Sequence, residues 1–261
     1  MSAILLTVAY DGTPFAGWAP QRNARTVAGE LLGAIQAMDP SAGELRGASR
    51  TDAGVHARGQ LATFASSRDI DPRGWALGLS AHLPAEIAIR GAALLPPGAD
   101  LRGSVVRKRY RYLVVRDMLR DPFWRDTALR YPHRLNLEVL RAEAEDVLGT
   151  HDFAAFRTSA DERTNTVRTM ESIRIAEHPG DARVLAIDVV GNAFLHNMVR
   201  ILVGSLLDVG SGRLARGALS RALQTKKRAD LGITAPAHAL CLEHIEHTLP
   251  IERAWPTEDD G

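Results

Sequence analysis

Over residues 4–10, ILLTVAY, apolar and polar positions alternate until Asp11-Gly12 ends the run. A period of two predicts a half-buried strand, because successive side chains point to opposite faces of a sheet. From Thr26 the period changes. Val27, Leu31, Ile35 and Met38 recur along one helix face, with Thr26 as N-cap. Gly29 and Gly33 each weaken that helix by about 1 kcal/mol relative to Ala, so packing must hold it. QLATFAS, ending at Ser66, is another strand, and a further strand precedes Pro96-Pro97. RKRYRYLVV, starting at Arg107, is a strand by its aromatic and β-branched content. Asn136 caps a helix LEVLRAEAEDVLG, with Leu137, Leu140, Ala144 and Leu148 apolar and Gly149 as terminator. ESIRIAEH and RVLAIDVVGN read as a hairpin. AFLHNMVRILVGSLLDVGSG is the most apolar helix, stopped by Gly210 and Gly212.

This order places several strands and a strand-loop-helix unit in each half, which predicts two α+β domains of similar plan. The boundary falls near Arg102 or Gly103, giving an N-terminal domain over 1–103 and a C-terminal domain over 104–250. Residues 251–261 read as an acidic tail, with TEDDG at its end expected to be disordered and dispensable. The loop GTPFAGWAPQRNAR, rich in Gly and Pro, is expected to expose Phe15 and Trp18.

Composition narrows the chemistry. The single Cys241 excludes an internal disulfide and any zinc site of several thiolates. There is no HExxH or CxxC, the histidines are scattered, and no segment has the length of a membrane span. The N-terminal run alternates like a strand and lacks a basic leader. The expectation is a cytoplasmic, soluble protein without metal. A net charge of +1 does not announce a nucleic-acid binder, yet RGSVVRKRYRYLVVR, residues 102–116, carries six Arg or Lys and no acid. Such a strip is either a solvated strand face or a phosphate-binding surface.

Three constellations carry possible chemistry. In GASRTDAGVHARGQ, residues 47–60, an extended loop places Arg50 and Asp52 on one side, with Gly54 allowing close backbone approach. A carboxylate beside a fixed cation stays ionised and suits a nucleophile or base, for instance at an anomeric carbon. Asp52 has no evident second carboxylate, which argues against plain glycoside hydrolysis. In KRYRY, residues 108–112, Tyr110 and Tyr112 share one strand face while Arg109 and Arg111 share the other. These rings either pack in the core or stack on bases. In the apolar helix, Arg200 needs a partner, since an unpaired buried charge is unfavourable. Asp188, Asp208, Asp52, a phosphate and solvent are the alternatives. His56 and His196 read as packing or surface residues.

YDGTPFAGW, SRTDAGVHARGQ, KRYRY, HDFAAF and NAFLHNMVRILVGSL stand in the order found in the tRNA pseudouridine synthase A family, and the chain resembles that family from about Tyr10 to Leu242. The resemblance implies two α+β domains whose antiparallel sheets join into one continuous sheet, with helices packed on it and the active cleft between the domains. It implies a homodimer that binds tRNA and converts uridine to pseudouridine at positions 38, 39 and 40 of the anticodon stem-loop, without a cofactor. Asp52 matches the essential aspartate, which attacks ribose C1′ or removes a proton at C2′. Tyr110 matches the aromatic that stacks on the target base, and Arg200 the basic residue that pairs with the aspartate. Arg50 matches an arginine that occupies the stack after the uridine flips out. Phosphate contacts fall to Arg58, Arg107, Lys108, Arg109 and Arg111. A non-catalytic RNA-binding module, or a synthase acting on other RNA positions, is the competing reading. Ser49, Ala19, Ala28 and Ala239 depart from the family pattern, the first in the turn before Arg50.

Overall fold

The computed structural model describes residues 2–159 and 161–256. In chain order the elements are β1 (Ser2–Tyr10), α1 (Val27–Met38), β2 (Arg46–Gly47), β3 (His56–Ser66), α2 (Pro72–His82), β4 (Ile87–Leu95) and β5 (Val105–Val115). They continue with β6 (Leu129–Arg130), α3 (Leu137–Glu145), β7 (Gly149–Asp152), β8 (Val167–His178), β9 (Asp181–Gly191), α4 (Met198–Gly210), α5 (Ala218–Thr225), β10 (Leu240–His247) and β11 (Arg253–Trp255). The content is α+β. Two compact units emerge, one comprising the described residues up to Val106 and from Leu242 on, the other Arg107–Cys241.

In the first unit the strands run β11-β4-β1-β3-β10, with β2 paired to β3. The alternation of β1 does what its period dictates: Ile4, Leu6, Val8 and Tyr10 are all buried. Helix α1 begins where Thr26 accepts a hydrogen bond from Gly29 N at 3.2 Å. Helix α2 was not evident from the apolar periodicity, because Gly74 and Gly78 interrupt it. Asp71 caps it through Gly74 N, Pro72 fits its first turn, and Trp75 and Leu79 bury its stripe. Trp75 meets Phe64 of β3 edge to face, at 5.1 Å between ring centres. Of the segment expected as a tail, Arg253–Trp255 pair antiparallel with β4 as β11; TEDDG, residues 257–261, lies outside the described residues.

In the second unit the order is β5-β9-β8-β7, with β6 parallel to β5. The hairpin forms as β8 and β9, joined through antiparallel pairs such as Ile175↔Ile187. Asn136 caps α3 by accepting from Glu138 N and Val139 N, both at 3.1 Å. The helix ends at Glu145, earlier than Gly149, which instead turns the chain into β7 with φ +95°. Helix α4 is buried along its length except at Arg200. It starts only at Met198: Asn197 adopts φ 62°, and Asn192 is tied to Thr169 through its N–H and side-chain oxygen, so residues 193–197 form a loop.

Candidate active site

Asp52 sits half-buried in the loop between β2 and β3, and Arg50 beside it is exposed. The loop has no regular structure, yet backbone groups on both sides of Arg50 are engaged. Ala48 N donates to Leu61 O at 2.8 Å. The fully buried Gln60 side chain then takes over: its Nε2 donates to Ser49 O at 2.8 Å, and its Oε1 accepts from Ser49 N at 3.2 Å. Beyond Arg50, the Thr51 hydroxyl shares a 2.7 Å hydrogen bond with the buried Tyr10 hydroxyl, and Thr51 O accepts from Trp18 N at 3.1 Å. Asp52 O accepts from Val55 N at 3.1 Å, closing a turn through Gly54, whose φ of +77° suits glycine.

The GTPFAGW segment is the other wall of this frame. Phe15 O accepts from Gly54 N at 3.3 Å. Gly12 N donates to His56 Nδ1 at 3.1 Å, and His56, buried in this loop, also lies 3.2 Å from Asp11 Oδ1. A Cβ at Gly12 would stand 2.1 Å from Val55 O, which leaves room for glycine alone. Phe15 and Trp18 are buried, 3% and 4% exposed, and not displayed to solvent as expected. Trp18 tilts against Tyr10 at 6.0 Å between ring centres, and the Arg25 guanidinium lies over Phe15 at 4.6 Å.

In the second unit Tyr110 and Tyr112 lie on the buried face of β5. Tyr110 packs edge to face on Phe194 at 5.2 Å. Tyr112 donates to Pro236 O at 2.9 Å, and burial pushes its phenol pKa well up, partly offset by the nearby Arg200 charge. Arg200, half-buried, donates from Nε to Ala235 O at 2.8 Å and from Nη1 to Asn197 Oδ1 at 2.5 Å, while Ala235 N donates back to Arg200 O at 3.0 Å. The loop over residues 192–197 therefore links the two: Phe194 touches Tyr110 and Asn197 touches Arg200. Asp161 anchors that loop by accepting from His196 N at 2.8 Å and pairing with Arg163, which itself donates to Phe194 O. Burial raises the Asp161 carboxyl, but these donors outweigh it and hold its pKa far below the ordinary range.

Two of the acids considered for Arg200 are engaged elsewhere. Asp188 forms a two-point pair with Arg111 at 2.8 and 2.9 Å, directly opposite it in the β5–β9 register. Asp208 binds Arg213 and accepts from Ile233 N. Along the basic strip, Arg107 bonds Glu171 at 2.9 Å, Lys108 lies opposite Gly191 and Arg109 is exposed. In the first unit Arg58 is exposed, 3.9 Å from Glu243. Among the described residues no group of three or more His, Cys, Asp or Glu is arranged to hold a metal, and no helix is long and apolar enough to cross a membrane.

Gln60, Tyr10, Phe194 and Asn197 were not singled out by sequence. Gln60 gave the clearest signal: a polar residue on the same strand face as the apolar Ala62 and Phe64.

A family model described as tRNA pseudouridine synthase matches residues 144–247. A Geobacter sulfurreducens protein named tRNA pseudouridine synthase A is 38% identical over 245 residues, covering 94% of this chain and 99% of its own. Proteins of the same name from Shouchella clausii and Chloroflexus aurantiacus are 36% and 39% identical, covering 96% and 95% of this chain and 95% and 89% of their own.

Proposed function

Because the chain belongs to the tRNA pseudouridine synthase A family, we propose that its isomerisation of tRNA uridine to pseudouridine runs on Asp52, with Tyr110 and Arg200 in support. The substrate in this reading is the anticodon stem-loop, at uridines 38, 39 and 40. The target nucleotide leaves the helical stack, which costs a few kcal/mol, and Arg50 fills part of the vacated space. Tyr110 stacks on the extruded base.

Asp52 either attacks ribose C1′ or removes a proton at C2′, and the bond between N1 and C1′ breaks. The uracil turns within the site and C5 bonds to C1′, as the Asp52–C1′ bond breaks on the first route or the proton returns to C2′ on the second. The C5 proton leaves while N1 takes one up, so the atoms balance with no water and no cofactor. One carboxylate suffices because the acceptor is the same uracil. Arg200 is the proposed cationic partner of Asp52. The engagement of Asp188 and Asp208 by other arginines supports that assignment.

Phosphate contacts fall to Arg58, Arg107, Lys108, Arg109 and Arg111. Arg58 and Arg109 are exposed for this role, whereas Arg107 and Arg111 would exchange a carboxylate partner for a phosphate. The enzyme acts as a homodimer in the cytoplasm.

The observation that carries the reading is the frame around Asp52: a loop without regular structure is fixed by buried partners on both sides of an exposed arginine and a half-buried carboxylate. Incubation with an unmodified tRNA transcript bearing uridines at 38–40, followed by carbodiimide treatment and primer extension, tests it. New stops at those uridines are expected. Stops confined to other uridines would overturn the assigned positions, and none at all would overturn the reading.

A further inference from the structure

We infer that Gln60 is a positioning residue for the Asp52 loop, its side-chain amide acting as one additional rung of the β2–β3 ladder; this rests on Asp52 being the reacting carboxylate. Strand β2 pairs with β3 at Arg46↔Thr63 and Gly47↔Ala62, and the Ala48 N–H still reaches Leu61 O at 2.8 Å. The next rung would join Ser49 to the backbone of residue 60, but the chain there is leaving the sheet. The Gln60 amide supplies the missing peptide group. Its Nε2 donates to Ser49 O at 2.8 Å and its Oε1 accepts from Ser49 N at 3.2 Å, a two-point pair of the kind backbone strands exchange. Oε1 also accepts from Leu61 N at 3.2 Å, so the amide cannot flip without losing two N–H donors. Gln60 is 0% exposed, so these bonds lie away from bulk solvent.

Two residues further on, Tyr10 does the complementary work. Its hydroxyl shares a 2.7 Å hydrogen bond with the Thr51 hydroxyl, both residues being buried. Arg50 is thus bracketed at Ser49 and Thr51, and Asp52 follows directly from the second clamp. It is the Ser49 backbone that Gln60 holds, and that backbone is not in the left-handed region that would require glycine. The serine in place of the family's usual glycine is accommodated for that reason.

The experiment is single-turnover pseudouridine formation on tRNA, with tRNA affinity measured separately, for Gln60→Met and Gln60→Glu. Met keeps the shape and removes every hydrogen bond; Glu keeps the acceptor to Ser49 N and removes the donor to Ser49 O. Folded Gln60→Met is expected to bind tRNA within about twofold of wild type while isomerising roughly tenfold or more slowly, with Gln60→Glu between the two. A wild-type rate in folded Gln60→Met, or a loss confined to affinity, would overturn the inference. Should Gln60→Met not fold, Tyr10→Phe decides: a rate loss of about threefold or more at unchanged affinity supports the bracket, and a wild-type rate removes it. Asp52→Asn in the same assay separates the two levels. A fully active Asp52→Asn sinks the reading of the site, whereas an inactive Asp52→Asn beside a fully active Gln60→Met sinks only the role of Gln60.

Discussion

The Asp52 loop and the Arg200 helix each present a charged side chain, and they do it by opposite means. The loop has no repeating backbone hydrogen bonds, so its shape is fixed one group at a time, by Gln60, Tyr10, Trp18 and Phe15. Helix α4 satisfies its own backbone and is fixed by burial: every residue from Met198 to Gly210 is buried except Arg200. From that fixed helix Arg200 donates to Ala235 O and Asn197 Oδ1. A loop allows a carboxylate to be aimed where no helix or strand would put it, but every hydrogen bond in its frame becomes a point of failure. A helix tolerates loss of single contacts, because its rigidity comes from apolar surface at about 25 cal/mol per Å².

The strongest way to break either region is to fill a close approach. A Cβ at Gly12 would stand 2.1 Å from Val55 O, and one at Gly204 would stand 1.9 Å from Ile233 O. Both meet backbone, which cannot swing aside. Gly12→Ala and Gly204→Ala are each expected to lose about 1–3 kcal/mol or more in denaturant unfolding. If the contrast holds, Gly12→Ala also slows turnover in protein that remains folded, since it displaces the Asp52 turn.

Arg200→Lys sharpens the helix side. An ammonium lacks the planar fork that reaches Ala235 O and Asn197 Oδ1 together. Turnover should fall roughly tenfold or more while the melting temperature moves little. Tyr112→Phe removes only the hydrogen bond to Pro236 O, leaving the ring in place. It should cost about 1 kcal/mol of stability and leave turnover near wild type.

Much of this was legible in the sequence. The period-two run of β1, the cap at Thr26 and the cap at Asn136 each predicted an element that forms, because one local cause dominates there. Asp52, Tyr110 and Arg200 stood out as residue types in unusual company. The failures have physical reasons. Phe15 and Trp18 lie in a Gly- and Pro-rich loop, and local composition does not reveal that a second loop covers them. Helix α2 has two glycines inside it and is held by Trp75 against Phe64, a contact between residues eleven apart in sequence. The frame role of Gln60 depends on where β2 leaves the sheet, which only the register discloses.

The smallest effect concerns pH. The Asp39 carboxylate, just past the end of α1, accepts from the Ser66 and Ser41 hydroxyls at 2.6 and 2.7 Å, and these bonds draw its pKa from 3.8 down to about 2. A lowered folded-state value means the unfolded chain takes up the proton first, so this contribution is present above the ordinary value and fades as pH falls toward 2. Thermal unfolding followed from pH 5 downward should show a steeper decline in the wild type than in Asp39→Asn. Equal slopes would remove Asp39 from the acid response.

The most direct test of the central claim is tritium release from tRNA carrying [5-³H]uridine, because joining C5 to ribose expels the C5 hydrogen. Wild-type protein should release it, and Asp52→Asn should bind the same tRNA with release reduced to background. Release by Asp52→Asn at the wild-type rate would contradict the account.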